Sequence, residues 1–358
     1  MSNTWGNEIR LSIFGESHGN GIGMVLDGIM PGVRIDQEQL QMQMARRAPG
    51  GALATPRKEA DEVEFLSGIV DHVTCGSPIC GIIRNTNTHS KDYTKTKDWL
   101  RPSHADFTAL IKYNGFADFR GGGHFSGRIT APLVLAGSIC AQALKQKFDI
   151  QTGSHIIQLG EYREEKWQSP EAVLLKEMES SRIPCQDPQR VTQLIEKARE
   201  QADSIGGMVE TAVTGIPAGW GDPFFDSLES RLAQLLFSVP AVKGVSFGAG
   251  TSFAAMRGSE ANDAFCLREG RVQTASNHNG GVLGGISTGM PLLFQTVLKP
   301  TPSIGQKQRS VNIRTMQEEE NAIVGRHDPC IVLRAIPVLE AVAQIALYDA
   351  WKGSEPRA

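Results

Sequence analysis

The stretch TAPLVLAGSICAQALK, Thr130–Lys145, decides how the rest of the chain is read. Leucine, valine, isoleucine, alanine and cysteine fall on every side of the helix it would form. Pro132 sits in the first turn, where the N–H has no intrahelical partner to lose. A helix apolar around most of its girth needs cover on both faces. PVLEAVAQIALYDAW, Pro337–Trp351, repeats the pattern, again with a proline expected in the first turn. The segments around these two helices read as strands: 63–70, 77–84, 208–214, 245–256, 292–298 and 331–334. Central helices between sheets is the architecture this implies.

Outward from that centre, Ile9, Leu11 and Ile13 alternate with Arg10 and Ser12 as in a half-buried strand. Residues 22–26 form a second apolar run of strand length. GESHGNG, Gly15–Gly21, is then a hairpin loop carrying Ser17 and His18. Asp36 is expected to cap a helix running to about Arg47 and stopped by Pro49-Gly50-Gly51. Residues 154–204 hold the charged runs EYREEKW and IEKAREQAD and read as helices on the outside of the fold. They are taken as an insertion within one domain spanning 1–351, with 352–358 a frayed tail.

With 36 basic and 39 acidic residues among 358, the formal charge is −3. That balance argues against wholesale nucleic-acid binding. The N-terminus lacks the basic and apolar regions of a signal peptide, and the apolar run 131–144 reads as too short to span a bilayer. Six scattered cysteines with no CxxC pair suggest reduced thiols in a cytoplasm.

Glycine is in excess, 38 residues clustered as Gly50-Gly51, Gly121-Gly122-Gly123, Gly206-Gly207, Gly280-Gly281 and Gly284-Gly285. Some of these mark turns, and at least one set is expected to let backbone approach a ligand. No Walker loop occurs, and the Gly19, Gly21, Gly23 series has the wrong spacing for a dinucleotide fingerprint. Basic residues gather instead around irregular, glycine-rich segments: Arg46 and Arg47, Arg57-Lys58, Arg101, Arg120 and Arg128, Lys299, and Arg326. A guanidinium fork suits carboxylate or phosphate, so a polyanionic ligand is indicated. His18, His104, His124 and His327 share those segments, and an imidazole beside a bound anion can protonate a leaving group. The four lack metal-ligand spacing, and no metal site is expected. From the residues alone the reading is an anion-binding acid–base enzyme or a non-catalytic phosphate-binding module.

At these same residues the sequence resembles the chorismate synthase family. FGESHGNGIGMVLDGIMPG (Phe14–Gly32), FRGGGHFSGRITAPLVLAGSI (Phe119–Ile139) and GRHDPCIVLRAIPVLEAV (Gly325–Val342) are similar to its three signatures. RPSHADFT, VKGVSFGAG, GSEAND, NHNGGVLGGISTG and KPTPSI also fit it in order. The resemblance implies an α+β fold with central helices sandwiched between antiparallel β-sheets, assembled as a homotetramer. It implies a lyase of the shikimate pathway, acting on 5-enolpyruvylshikimate 3-phosphate to give chorismate. Reduced FMN would act without net redox change, with NADPH the ultimate reductant and an external flavin reductase a partner.

By the same resemblance, His18 would protonate the departing phosphate and His104 would exchange a proton with the reduced flavin. Asp328 would assist loss of the ring proton, with Ser17 and Ser126 in support. The flavin would lie against His124, Phe125, Ser126, Pro240, Ala241, Gly284, Lys299, Pro300, Thr301, Pro302, Ser303 and Arg326. Arg46, Arg47, Arg128 and Arg334 would bind the substrate's anionic groups. The chain departs from many members in having His124-Phe125-Ser126 after the triple glycine, Ala48 after Arg47, and no arginine in 51–56, with Arg57 or Lys58 as substitutes. The alternative within flavin chemistry is an oxidoreductase with net electron transfer.

Overall fold

The computed structural model describes residues 3–50, 53, 61–85, 98–323 and 328–355. Thr130–Lys145 is a helix, α3 in chain order after α1 (Gln37–Arg47) and α2 (Asp106–Lys112). Every residue from Thr130 to Cys140 is buried. With the turn before it, residues 127–145 are long and apolar enough to cross a membrane, so the run is longer than the sequence suggested. Here 83% of that window is buried inside the protein, which accounts for its composition.

Two antiparallel five-stranded sheets enclose the helices. The first runs in the order Thr4–Trp5, Arg10–Gly15, Gly21–Asp27, Ile79–Arg84, Val63–Ser67. The second runs Val242–Phe247, Leu292–Leu298, Gly207–Thr214, Gln151–Leu159, Tyr162–Arg163. Outside or between them lie α4 (Ala172–Ser180), α5 (Pro188–Glu200), α6 (Leu228–Ser238) and the single turn α7 (Gly258–Ala261). The chain closes with α8 (Val332–Ser354), buried without a break from Ala335 to Trp351.

Glycines set how closely these layers approach. A Cβ on Gly81 would come within 2.6 Å of Leu135, so the first sheet lies directly on α3. A Cβ on Gly137 would come within 2.5 Å of the Ala341 backbone, so α3 and α8 touch main chain to main chain. On the far side of α8, Gln344 donates to Thr152 of the second sheet. Fully burying one leucine, isoleucine or valine contributes about 1.5–3 kcal/mol, and both helices bury many.

At the end of α8, Asp349 is fully buried and accepts from the backbone N–H of Asn7 (3.0 Å), Glu8 (2.7 Å) and Ile9 (2.9 Å). Its other oxygen takes a 2.6 Å bond from Arg231 of α6. This one carboxylate ties the entrance of the first sheet to the final helix.

Several local expectations change. Residues 331–334 open α8 and are no strand, because a short apolar run does not distinguish helix from strand by itself. Pro337 is therefore inside the helix, not in its first turn. The strand expected over 245–256 ends at Phe247: Gly248, at φ +52°, leads into a 3₁₀ segment over Gly250–Ala255. Residues 154–159 belong to a buried strand of the second sheet, so the outer helices of the 154–204 stretch begin only with α4. The tail is helical through Ser354.

Candidate active site

The hairpin of the first sheet, with Gly15 paired to Ile22, carries residues 16–20 at its tip. Ser17 N–H donates to the Gly123 carbonyl at 3.2 Å, and Ser17 Oγ lies 3.3 and 3.2 Å from the carbonyls of Arg120 and Gly121. The same oxygen is 3.2 Å from His18 Nδ1. With its own proton given to a carbonyl, Oγ accepts from Nδ1–H and fixes the ring's orientation. A Cβ on Gly121 would fall 2.0 Å from His18 Cε1. Gly121, Gly122 and Gly123 all take positive φ, so the glycine loop makes the bed on which His18 lies.

Farther along that loop, His124 Nδ1–H donates to the Gly15 carbonyl at 2.9 Å. Phe125 meets Tyr113 edge-on at 6.1 Å and stays 45% exposed. Ser126 Oγ accepts from Arg128 N–H at 3.2 Å and caps the turn that leads into α3. Arg120 and Asp118 clasp each other at 2.8 and 2.7 Å beside His18, a pair the sequence reading did not single out.

Arg47 and Arg128 converge on Asp61. Arg47 Nη2 donates to Oδ2 at 2.5 Å, and Arg128 Nη1 donates to Oδ1. Arg47 is 1% exposed and the Asp61 side chain is fully buried. Arg128 Nε also reaches Asn85 Oδ1 at 3.2 Å, and Asn85 donates 3.0 Å bonds to the carbonyls of Glu16 and Gly19 in the His18 loop. Arg334, in the first turn of α8, donates from Nε to the Arg47 carbonyl at 3.1 Å and from Nη1 to Asp328. Asp61 was not foreseen: one carboxylate among several in the charged run 57–64 gives no signal in sequence.

The third component is the loop before α2. Arg101 grips Asp106 through Nε (2.8 Å), Nη2 (2.6 Å) and its backbone N–H (2.9 Å). Burial opposes charge on Asp106, but those bonds hold its carboxyl below the usual range. His104 Nδ1 lies 3.0 Å from the Pro102 carbonyl, an atom that only accepts, so Nδ1 carries the hydrogen. Its Nε2 then accepts from Ser303 Oγ at 2.9 Å. Burial first, then the nearby cations Arg101 and Lys299, push the His104 pKa down, which favours this neutral tautomer. Lys299 Nζ donates to the Ser103 carbonyl at 2.9 Å, and burial, then Lys243, lowers its own pKa.

These components join. Ile205 N–H donates to the Pro329 carbonyl at 2.8 Å and Ser204 Oγ to the Thr301 carbonyl at 2.6 Å, linking Asp328 to the 299–303 loop. Asn85, Arg128, Asp61, Arg47, Arg334 and Asp328 are thus linked by side-chain bonds, joined through Glu16 and Gly19 to the His18 loop and, by way of Pro329 and residues 204–205, to the loop whose Ser303 meets His104. Pro240 and Ala241 border it, since Lys299 N–H donates to the Ala241 carbonyl at 2.9 Å and Ala241 has φ +75°. Pro300 and Pro302 hold the shape of the same loop.

Two expected members lie elsewhere. Arg46 follows the opposite face of α1 and pairs with Glu340 at 2.6 Å and Gln43 at 2.7 Å. Successive helical residues diverge by about 100°, and Arg46 and Arg47 accordingly meet different carboxylates, Glu340 and Asp61. Gly284 sits in the 282–287 hairpin, next to Gly285, whose carbonyl accepts from Leu228 at the start of α6. Arg57, Lys58, Arg326 and His327 lie outside the described residues. Cys330, beside Asp328, is buried, and burial pushes its thiol up to about 12, so it is packing and no nucleophile.

The cluster offers cations for a polyanion, two imidazoles and a carboxylate for proton movement, and an exposed aromatic face at Phe125. Thr301 Oγ1 is buried with no hydrogen-bond partner among the described residues, in the loop that carries Ser303. In that loop an orphaned hydroxyl and a nearby lysine suit the polar edge of a cofactor such as a flavin.

The family model described as chorismate synthase matches residues 9–351. A chorismate synthase of Dehalococcoides mccartyi is 44% identical over 98% of this chain and 96% of its own length. One of Methanocaldococcus jannaschii is 41% identical over 98% and 96%. A solved structure titled "Crystal Structure of Chorismate Synthase" superposes with a TM-score of 0.76 at 29% identity, covering 97% of this chain and 92% of that one. Matched along nearly its whole length in sequence and in fold, the chain belongs to the chorismate synthase family.

Proposed function

We propose that the chain removes phosphate and a ring proton from 5-enolpyruvylshikimate 3-phosphate to give chorismate, an anti-1,4-elimination in a cytoplasm. One C–O and one C–H bond break, a new double bond forms, and phosphate and a proton leave. The reduced flavin used by the family, FMN here, supplies when bound the electron density that loosens the phosphate ester and is returned at the end. Phe125, Ala241, Lys299, Thr301 and Ser303 would hold it.

Arg47, Arg128 and Arg334 bind and orient the substrate's anionic groups. His18, steadied by Ser17 Oγ, delivers a proton to the departing phosphate oxygen. His104, with Ser303, exchanges a proton through Nε2 at the cofactor side of the site. Asp328, gripped by Arg334, assists loss of the ring proton. NADPH is the ultimate source of reducing equivalents, an external flavin reductase delivers them, and the working form is a homotetramer.

The observation that carries this reading is the cluster of Arg47, Arg128 and Arg334, tied through Asn85 to the His18 loop and standing with Asp328 beside the segment that holds the 299–303 loop. An anaerobic assay with pre-reduced FMN tests it: phosphate and chorismate should appear in equal amounts while the flavin stays reduced. Flavin oxidised in step with substrate would instead mean net electron transfer.

A further inference from the structure

Asn85 stands one residue past the end of the strand Ile79–Arg84, whose last pair sets Arg84 opposite Gly21. It therefore meets the hairpin tip that carries His18, and it holds that tip at three points. Its backbone N–H donates to the Asn20 carbonyl at 3.2 Å. Its side-chain Nδ2 donates to the carbonyls of Glu16 and Gly19, each at 3.0 Å, and these two residues flank Ser17 and His18.

The other atom of the amide, Oδ1, accepts from Arg128 Nε at 3.2 Å. Carbonyls only accept and a guanidinium only donates, so the amide has one orientation. Aspartate would have the same shape, but it would set an oxygen against two carbonyls. Ser17 fastens the opposite side of the tip to the glycine loop through its backbone N–H and its hydroxyl. That contact seats the imidazole, whereas Asn85 sets the tip against a guanidinium.

Proton transfer requires donor and acceptor within about 2.6–3.2 Å of each other. In the proposed reaction the donor is His18, and the acceptor is an oxygen of the anion that the arginines orient. We infer that Asn85 is a positioning residue for this step: its amide keeps the His18 loop and the Arg128 guanidinium in register, so that the acid meets the anion the arginine binds. The inference rests on the roles given to His18 and Arg128 in the proposed function.

A double-mutant cycle tests it. Chorismate formation with pre-reduced FMN is measured for wild type, Asn85→Ala, His18→Ala and the double variant. Asn85→Ala should lower kcat by about 10²-fold, the cost of a misplacement near 1 Å. In a chain already lacking the His18 imidazole, the same change should cost no more than about twofold, because residues that act as a unit are not additive. Asn85→Asp should lose kcat as Asn85→Ala does, since it keeps the shape and the contact with Arg128 but repels both carbonyls. Arg84→Ala, one residue earlier, removes an exposed pair with Glu64 and should stay near wild type. A crystal structure of Asn85→Asp should show the tip displaced from Arg128 by about 1 Å with the rest of the first sheet in place.

An equal cost of Asn85→Ala with and without the His18 imidazole would overturn the inference and make Asn85 a general brace. So would a kcat within about twofold of wild type in both Asn85 variants. Should Asn85→Ala not fold, the cycle is run with Asn85→Asp and read in the same way. Full activity of His18→Ala would fault the acid role of His18 itself, and the inference with it. Additive losses in a chain whose His18→Ala variant is impaired would sink the inference alone.

Discussion

His18 lies where a side chain on residue 121 would have to be: a Cβ there would sit 2.0 Å from Cε1 and 2.2 Å from Nδ1 of the imidazole. The glycine loop and the hairpin tip are thus one unit, although about a hundred residues separate them in sequence. Gly121→Ala should displace His18 and lower kcat by about 10²-fold, the cost of a misplacement near 1 Å. Gly122→Ala is the control. It shares the positive φ, but a Cβ there meets only Ser126 at 3.8 Å, so it should suffer backbone strain and lose less activity. Equal losses in the two variants would mean that strain alone matters.

Arg46 and Arg47 are neighbours with separate tasks. Arg47→Lys replaces a fork by a point charge in the anion cluster and should raise the substrate KM by about tenfold. Arg46→Lys disturbs the pair with Glu340 and should change thermal stability with little effect on KM. Steady-state kinetics beside thermal melting separates the two. A KM rise of equal size in both would contradict the divergence along α1.

His104 carries a pH signature. Its pKa is pushed below the ordinary value of about 6.5 by burial, then by Arg101 and Lys299. Protonation would take away the acceptor that Ser303 uses and add charge beside two cations. The stabilising contribution is therefore whole above the unfolded value and is lost as pH falls through the lower folded value. An NMR titration of the His104 ring should show a midpoint below that of a free imidazole. A midpoint above it would refute the neutral tautomer derived from Pro102 and Ser303.

Asp349 should be the costliest surface-distant position to change. Asp349→Ala strands three backbone N–H groups and leaves Arg231, whose side chain is 8% exposed, without its close counter-charge. Breaking a buried pair in this way costs about 3–5 kcal/mol. Denaturant unfolding measures it, and a loss below about 1 kcal/mol would show that the carboxylate is not holding the first sheet to α8.

The sequence disclosed whatever depends on near neighbours in the chain. The girth of α3 and most of α8 was legible because a helix apolar on all sides has to be interior. The hairpin at 15–21 and the cap at Asp36 were legible from turn and capping chemistry, and Asp36 does accept from Gln39 N–H at 3.0 Å. The start of α8 was not, since three apolar residues, Ile331, Val332 and Leu333, satisfy either period, and only packing against the second sheet selects the helix. The motifs marked most of the segments that meet at the site, yet motif membership does not say where a side chain points.

Orientation was left to the tertiary structure. Helical rotation sent Arg46 to Glu340 and Arg47 to Asp61, although the sequence presents them as a pair. Asp61 gained its meaning only when two arginines, 14 and 67 positions away, closed on it. The chain by itself determines which segments must be buried and which must turn, because those preferences are settled within a few residues. Which charges confront each other depends on long-range packing, where the cost of burying an unpaired ion forces a distant partner into place.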